Sequence, residues 1–452
     1  MQEQTKVKGF GARGWLLVLW VASAMFSYVV AGNYPLNIMT NAPQYGPATT
    51  VSLVYTGASI LGIIVQVIFS RKIRNWKKVS VGLGIATLVF MILEMVIPGG
   101  TDHASVGWLI VFGLATGISA LYGTWATCVI VGVWYPRRKG TVMGVITFAF
   151  PIGNALLGGF AGKFLPLAFN PATAGSAALA SLWPYVLVVL IGFIIGVFLC
   201  PEFPEKCGAY RDNDKNMTPE MANAMMMQEI ENRKTTVWTT GHTVACPDFW
   251  FITIPLGLLL MFAVGAMTQS MAIINTYPDA YNWIGGYTGV MYVIAAFGII
   301  GSYVFGLIDT RKGTRFAVLL SHICMLVSGI LGAIGNATAL FISLILLAMF
   351  MGASSNYTVS AAVQYWRIED FPSVFSVVNP VANFINAFGP TIVAALIATK
   401  LGTQAVFIVV GIAAIISIIC CLLFKPARVK AYDDKYREAA GKPLDDVLVG
   451  RK

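Results

Sequence analysis

A chain of 452 residues that is 57% hydrophobic and only 11% charged, with a mean hydropathy of +0.75, is too apolar for a water-soluble enzyme or binding module; soluble domains carry roughly 25% charged residues. A net charge of +10 in a soluble protein would suggest nucleic acid as a partner. In this composition the charge instead orients a membrane protein and meets lipid headgroups, and no nucleic-acid partner is expected.

Twelve apolar runs fall at about 14–39, 47–70, 79–98, 107–134, 141–168, 182–200, 249–277, 286–308, 316–335, 339–364, 373–398 and 403–424. Each is near the roughly 20 residues that cross a bilayer as a helix. The first follows Lys6, Lys8 and Arg13 and exceeds the roughly 7–15 residues of a signal-peptide core, so it is expected to be an uncleaved span one. It carries Trp20, Ser23, Ser27 and Tyr34 at helical spacing, with Tyr28 adjacent, and closes on Tyr34-Pro35. Span three holds Glu94 near its outer end; an intramembrane carboxylate is a candidate proton site, unless it reaches interface water. Span four offers Tyr122 and Trp125 and ends in Trp134-Tyr-Pro-Arg-Arg-Lys-Gly140.

Residues 201–247 form the one long polar stretch, in which Thr218-Pro-Glu220 could start a short helix. They divide the chain into a six-helix half at 1–200 and another at 248–424, leaving a tail at 425–452. Span seven opens on Asp248-Phe-Trp250, carries Gln269 and Thr276, and closes on Tyr277-Pro278. Span ten has Asn356, Tyr357 and Ser360. In span eleven Asn379, Asn383 and Asn386 sit at i, i+4 and i+7, within about 60° of one another on a helix. A mid-span amide facing lipid is costly, so these three line a cavity or act as interhelical amide glue, worth typically about 0.6 kcal/mol. The seven cysteines show no pairing or metal spacing and are expected to be free thiols.

Under alternating threading, 28 of the 30 Lys and Arg residues fall on one side, leaving Lys163 and Lys400 opposite. That bias places both termini in the cytoplasm. The halves also echo each other: Tyr34-Pro35 with Tyr277-Pro278, Gly62-Ile-Ile with Gly298-Ile-Ile, and Pro151-Ile-Gly-Asn154 with Pro380-Val-Ala-Asn383. Duplicated helical halves with a site between them near the midplane are a transporter signature.

The loop Gly306-Leu-Ile-Asp309-Thr-Arg311-Lys-Gly313-Thr-Arg315 resembles the G-x-x-x-D-R-x-G-R-type loop of the major facilitator superfamily. Gly32-Asn-Tyr34, Trp134–Gly140 and Asp248-Phe-Trp250 resemble its oxalate:formate antiporter and monocarboxylate-transporter branch. The resemblance implies an all-α integral membrane fold of twelve transmembrane helices in two pseudo-symmetric halves, with spans one, four, seven and ten lining a central cavity. It also implies a gate at Asp309, Arg311, Gly313 and Arg315, with Asp309 pairing Arg311 or Arg315 while the cytoplasmic side is closed; the alternative is a solvated loop carboxylate. Two departures stand out. The first-half copy, Ser70-Arg-Lys-Ile-Arg74, lacks the Asp and the Gly, and 286–308 and 373–398 contain no Lys, Arg or His to hold oxalate.

The expected protein is thus a monomeric secondary transporter of a small or medium organic solute, a monocarboxylate or amphipathic acid, in a plasma or bacterial inner membrane. The solute would contact Ser27, Tyr28, Tyr34, Tyr122, Trp125, Gln269, Asn356, Tyr357, Asn379, Asn383 and Asn386, and a positive end of a broken helix at Asn33-Tyr-Pro35 would face it. Membrane lipid and a coupling proton or counter-substrate are the other expected partners; no cofactor and no metal are expected. Export of neutral or hydrophobic compounds is the alternative. An intramembrane enzyme is disfavoured because His103, His242 and His322 are isolated from one another, and no ATP-binding loop motif occurs.

Overall fold

The computed structural model describes residues 9–41, 47–69, 75–97, 105–129, 133–135, 139–153, 182–214, 216–218, 220–221, 223–224, 227, 236–367, 370–442 and 444. Among them every regular element is helical. In lipid a backbone N–H has no water to bond, so each segment must satisfy its own hydrogen bonds. Among the described residues, ten helices are long and apolar enough to cross a membrane: Ala12–Asn37, Ala48–Phe69, Trp76–Val96, Val106–Thr127, Pro247–Thr268, Gly286–Lys312, Thr314–Ala333, Ala337–Tyr365, Ser373–Ile397 and Thr403–Leu423. They are spans one to four and seven to twelve. Two shorter apolar helices, Val142–Gly153 and Trp183–Leu199, take the places of spans five and six. The expected Asn154, Lys163 and Ser70–Arg74 lie outside the described residues. The stretch after Thr218 is described only in part, with 220–221 and 223–224 helical.

Local chemistry sets the ends and bends. Asn75 and Asn336 cap spans three and ten, their side-chain oxygens accepting from the backbone N–H of Lys78 and Ala339 at 2.8 Å each. Span one is not broken at Tyr34-Pro35. A π-helical turn, Val29–Asn33, carries it into the helix Tyr34–Asn41, so no helix N-terminus is exposed there. Proline removes a backbone donor and crowds the carbonyl four residues earlier, and a wider turn just before it relieves both. Span eleven bends at Phe388, where Gly389-Pro390 opens a second helix and Pro occupies the tolerated first turn.

Spans one to six pack mainly on one another, as do spans seven to twelve. The halves meet where span two lies along span eleven and span five lies against spans eight and ten. At the end of the bundle that carries the chain's N-terminal residues, each half holds its own part of the linker. Asn75 donates to Glu202 Oε2 (2.7 Å) and Trp134 Nε1 to the Glu202 carbonyl (3.1 Å) in the first half. Thr236 donates to Asp370 (2.6 Å) and Trp238 Nε1 to Asp433 (2.8 Å) in the second. A terminal helix, Pro426–Ala439, folds back onto this end of the second half. Cys200, Cys207, Cys246, Cys324, Cys420 and Cys421 are all unpaired.

Candidate functional site

A cavity of about 140 Å³ lies between the halves, walled by spans one, two, four, five, seven, ten and eleven. At roughly 10–15 Å³ per water, that is room for a solute on the order of ten heavy atoms. Asn379, Asn383 and Asn386 line one wall, and Ser59, Gly62 and Gln66 of span two, also at helical spacing, line another. Tyr28, Thr124, Thr127 and Thr358 supply hydroxyls, and Phe150 and Phe375 supply aromatic faces. The described lining contains no Asp, Glu, Lys, Arg or His.

Several amides in this region have unspent hydrogen-bonding capacity. Asn386 is 8% exposed and its Oδ1 is buried without a partner among the described residues. Gln66 is 6% exposed. Asn383 donates from Nδ2 to the Asn379 carbonyl at 2.9 Å and to Asn379 Oδ1 at 3.1 Å, and Thr358 donates to that same Oδ1 at 3.2 Å.

Of the residues expected from the sequence to contact solute, the cavity brings together Tyr28, Asn379, Asn383 and Asn386. The others point elsewhere. Ser27 is fully buried and donates to its own helix at Ala24. Tyr34 packs its ring 6.0 Å from that of Tyr185. Tyr122 accepts from Trp20 Nε1 at 3.0 Å, joining spans four and one. Tyr357 meets Ser321 Oγ at 3.0 Å, joining spans ten and nine. Trp125 and Gln269 are buried, each with a nitrogen unpartnered among the described residues, and Asn356 bridges the halves by donating to Thr147 Oγ1 at 3.1 Å. Ser59, Gln66, Thr124, Thr127 and Thr358 were not anticipated. The Ser59-Gly62-Gln66 spacing is the one signal that could have found part of this set.

The loop after span eight closes on its own half. Asp309 Oδ1 accepts from Thr314 Oγ1 at 2.6 Å, with Ser360 as a second hydroxyl partner. Gly313 has φ +90°, the Thr314 N–H donates to Gln364 at 2.6 Å and the Arg315 N–H to Tyr365 at 2.7 Å. The Arg315 side chain turns away from Asp309 and donates to the last carbonyls of span twelve, at Cys421 (3.0 Å) and Leu422 (3.2 Å). Arg311 lies exposed in the last turn of span eight. Glu94 is fully buried, outside the cavity, with neither oxygen partnered among the described residues.

Opposite the linker end, polar contacts join the halves. Asn37 Nδ2 donates to the Tyr287 hydroxyl, which also meets Ser270 Oγ, both at 3.2 Å. Thr56 donates to the Ala387 carbonyl at 2.7 Å and meets Thr391 at 3.0 Å. Gln66, Thr127 and Phe375 extend the cavity toward the linker end. Each bond contributes about 1 kcal/mol, so Tyr287→Phe, which removes the one from Asn37 that crosses between the halves, should shift the closed-to-open ratio at this end roughly fivefold. Spin labels at Val106→Cys and Trp283→Cys, in a background free of native cysteines, should then gain a longer distance component. An unchanged distribution would mean these contacts do not hold the end shut.

A sequence profile described as Major Facilitator Superfamily matches residues 16–338 and 256–450. No curated protein matches the sequence. The fold is similar to a crystal structure of a mutant of the nucleoside transporter NupG, with a TM-score of 0.60 and 10% sequence identity over 90% of this chain and 99% of that one. At that identity the likeness concerns the fold alone.

Proposed function

The chain belongs to the Major Facilitator Superfamily and is a multi-pass membrane transporter, and we propose that it moves a small organic solute without net charge by alternating access. The observation that carries this reading is the cavity between the halves, lined among the described residues by amides, hydroxyls and aromatic rings but by no acid or base. Burying an ion there without a partner costs several kcal/mol. A monocarboxylate, the solute class of the branch the sequence resembles, fits only when its charge is neutralised by a proton.

Positive-inside charge supports a linker end in the cytoplasm. With the opposite end bonded shut and the cavity extending toward the linker, the conformation described is inward-facing. Repacking between the halves at these two ends is the rocking motion that alternating access requires.

Thermal stabilisation of the purified protein tests the charge of the cargo, because a ligand that binds only the folded state must stabilise it. Uncharged solutes should raise the melting temperature and oxalate should not; robust stabilisation by oxalate and other dicarboxylates would overturn the reading.

Glu94 is the proposed proton carrier. It sits one turn from Met91, which packs in an apolar cluster with Val29 and Val30 of span one and Val189 of span six. An unpaired ionised carboxylate in such a place is costly, so proton exchange at this group would accompany a parting of the helices around it. Glu94→Gln should keep the fold and passive equilibration of solute in proteoliposomes while accumulation driven by an inward proton gradient falls at least tenfold. Undiminished accumulation that a protonophore still abolishes would assign the proton to another group.

A further inference from the structure

The hydrogen-bonding capacity left unspent on the cavity wall specifies more than the absence of charge. The Asn383 amide cannot be flipped without loss, because its Nδ2 donates to a backbone carbonyl, that of Asn379, which can only accept. Its Oδ1 is therefore left as an acceptor. The same Nδ2 and the Thr358 hydroxyl both converge on Asn379 Oδ1, which leaves Asn379 Nδ2 as a donor. One turn apart on one helix face, span eleven thus offers a donor and an acceptor side by side. Asn386 adds the unpartnered Oδ1 a further turn along.

Three hydroxyls around this pair have given up their protons, while Ser59 Oγ on the facing wall has no partner among the described residues. Thr124 donates to the Ala120 carbonyl at 2.9 Å and Thr127 to the Gly123 carbonyl at 2.8 Å. Tyr55 donates to Asn33 Oδ1 at 3.2 Å, so the hydrogen bond between Tyr28 and Tyr55 takes its proton from Tyr28. Each of these oxygens offers the cavity lone pairs only. These acceptors give a carboxylate, which has no proton to offer, nothing to bind, and they favour a solute with N–H or O–H groups.

We propose that the substrate is an uncharged heterocycle or cyclic amide carrying an N–H donor next to a C=O acceptor, the edge found on nucleobases and lactams, which pairs in two-point fashion with Asn379 Nδ2 and Asn383 Oδ1. A single Asn or Gln amide reads a base edge by two-point pairing, and Asn379 Nδ2 with Asn383 Oδ1, on side chains joined by a hydrogen bond, supply the same donor and acceptor types. A solute on the order of ten heavy atoms fits the volume, and Phe150 and Phe375 supply apolar faces for a flat ring. The inference rests on the cavity being the transport site.

Uracil, 1,3-dimethyluracil and benzoate are the probes, each titrated against the purified full-length protein by thermal stabilisation. Uracil should bind, dimethylation of its nitrogens should weaken binding at least tenfold, and benzoate should bind no better than the dimethyl compound. Asn383→Leu should weaken uracil at least tenfold with the unliganded melting temperature little changed, and Gln66→Leu, on the facing wall, provides a second variant if the first does not fold. Equal binding of uracil and dimethyluracil, no binding of uracil at millimolar concentration, or a preference for benzoate overturns the donor–acceptor edge. If Asn383→Leu also weakens benzoate, the cavity still stands as the site. Uracil binding indifferent to both variants overturns the cavity itself, and the inference with it.

Discussion

Gly301→Val is expected to abolish accumulation of folded protein, whereas Gly306→Val, further along the same helix, should leave it near wild type. A Cβ at Gly301 would lie 2.0 Å from the Met349 carbonyl oxygen and 2.4 Å from its Cα, both backbone atoms of span ten, while at Gly306 nothing lies within 4 Å. A flexible side chain could move aside; a helix backbone cannot, so spans eight and ten would have to part along their contact. Overpacking a well-packed core costs typically about 1–3 kcal/mol, and here the loss extends to neighbours, since Gly352 of span ten packs against Ser302. Small residues that let helix backbones approach are what membrane helices use in place of a hydrophobic driving force. The yield of monodisperse protein on size exclusion and its melting temperature are the measurements. A monodisperse Gly301→Val variant with an unchanged melting temperature would mean that this contact contributes little to the assembly.

The twelve-helix fold was legible because lipid imposes a length. A run of about 20 apolar residues has few alternatives once its backbone must bond to itself. The asparagine stripe of span eleven was legible for a related reason: three amides in register on one face cannot all turn to lipid, and all three line the cavity. What a periodic pattern does not contain is the neighbour each face meets. Trp20 and Tyr122 have the composition of a binding surface, yet they bond to each other across spans one and four. Tyr357 likewise serves the contact with span nine. Ser59 and Gln66 sit in a run of Ile, Leu and Val, and only the packing of span two along span eleven makes them part of a polar wall.

The loop after span eight shows the same limit. Asp309 and Arg315 are six residues apart and of opposite charge, which suggests a pair. In the structure the Asp309 carboxylate is satisfied by Thr314 and Ser360 within the half, and Arg315 caps span twelve, whose final carbonyls lack helical partners. The positive φ of Gly313 lets the chain turn between the two tasks. The π turn before Pro35 was invisible for a different reason, since proline announces a disturbance in a helix but not whether the helix breaks or widens to absorb it.

The last expectation concerns the tail. Asp433 is 1% exposed and accepts from Trp238 Nε1 at 2.8 Å, Arg367 Nε at 2.9 Å and Arg437 Nε at 3.1 Å. Arg437 also reaches Asp370 at 2.9 Å, so two arginines and two aspartates are linked in one buried cluster. It joins the terminal helix to the linker and to the turn between spans ten and eleven. Asp433→Ala would remove the acceptor that Arg367 Nε, Arg437 Nε and Trp238 Nε1 share, and removing one member of a buried pair costs about 3–5 kcal/mol. The adjacent Asp434 is the control: it pairs with Lys430 at 2.6 Å with its side chain 32% exposed, and exposed pairs one helical turn apart contribute only about 0.3–0.5 kcal/mol. Asp433→Ala should therefore undock the terminal helix and expose Lys430, Lys435 and Arg437 to trypsin, while Asp434→Ala should cleave at the wild-type rate. The twelve spans should survive both changes, because the cluster lies beyond the ends of spans ten and eleven. The tail also rests on a stack of His242 on Tyr436 with ring centroids 4.0 Å apart and on the Asp248–Arg428 pair at 3.2 Å. If Asp433→Ala proved no more sensitive to trypsin than Asp434→Ala, those contacts rather than the charge cluster would be what holds the helix down.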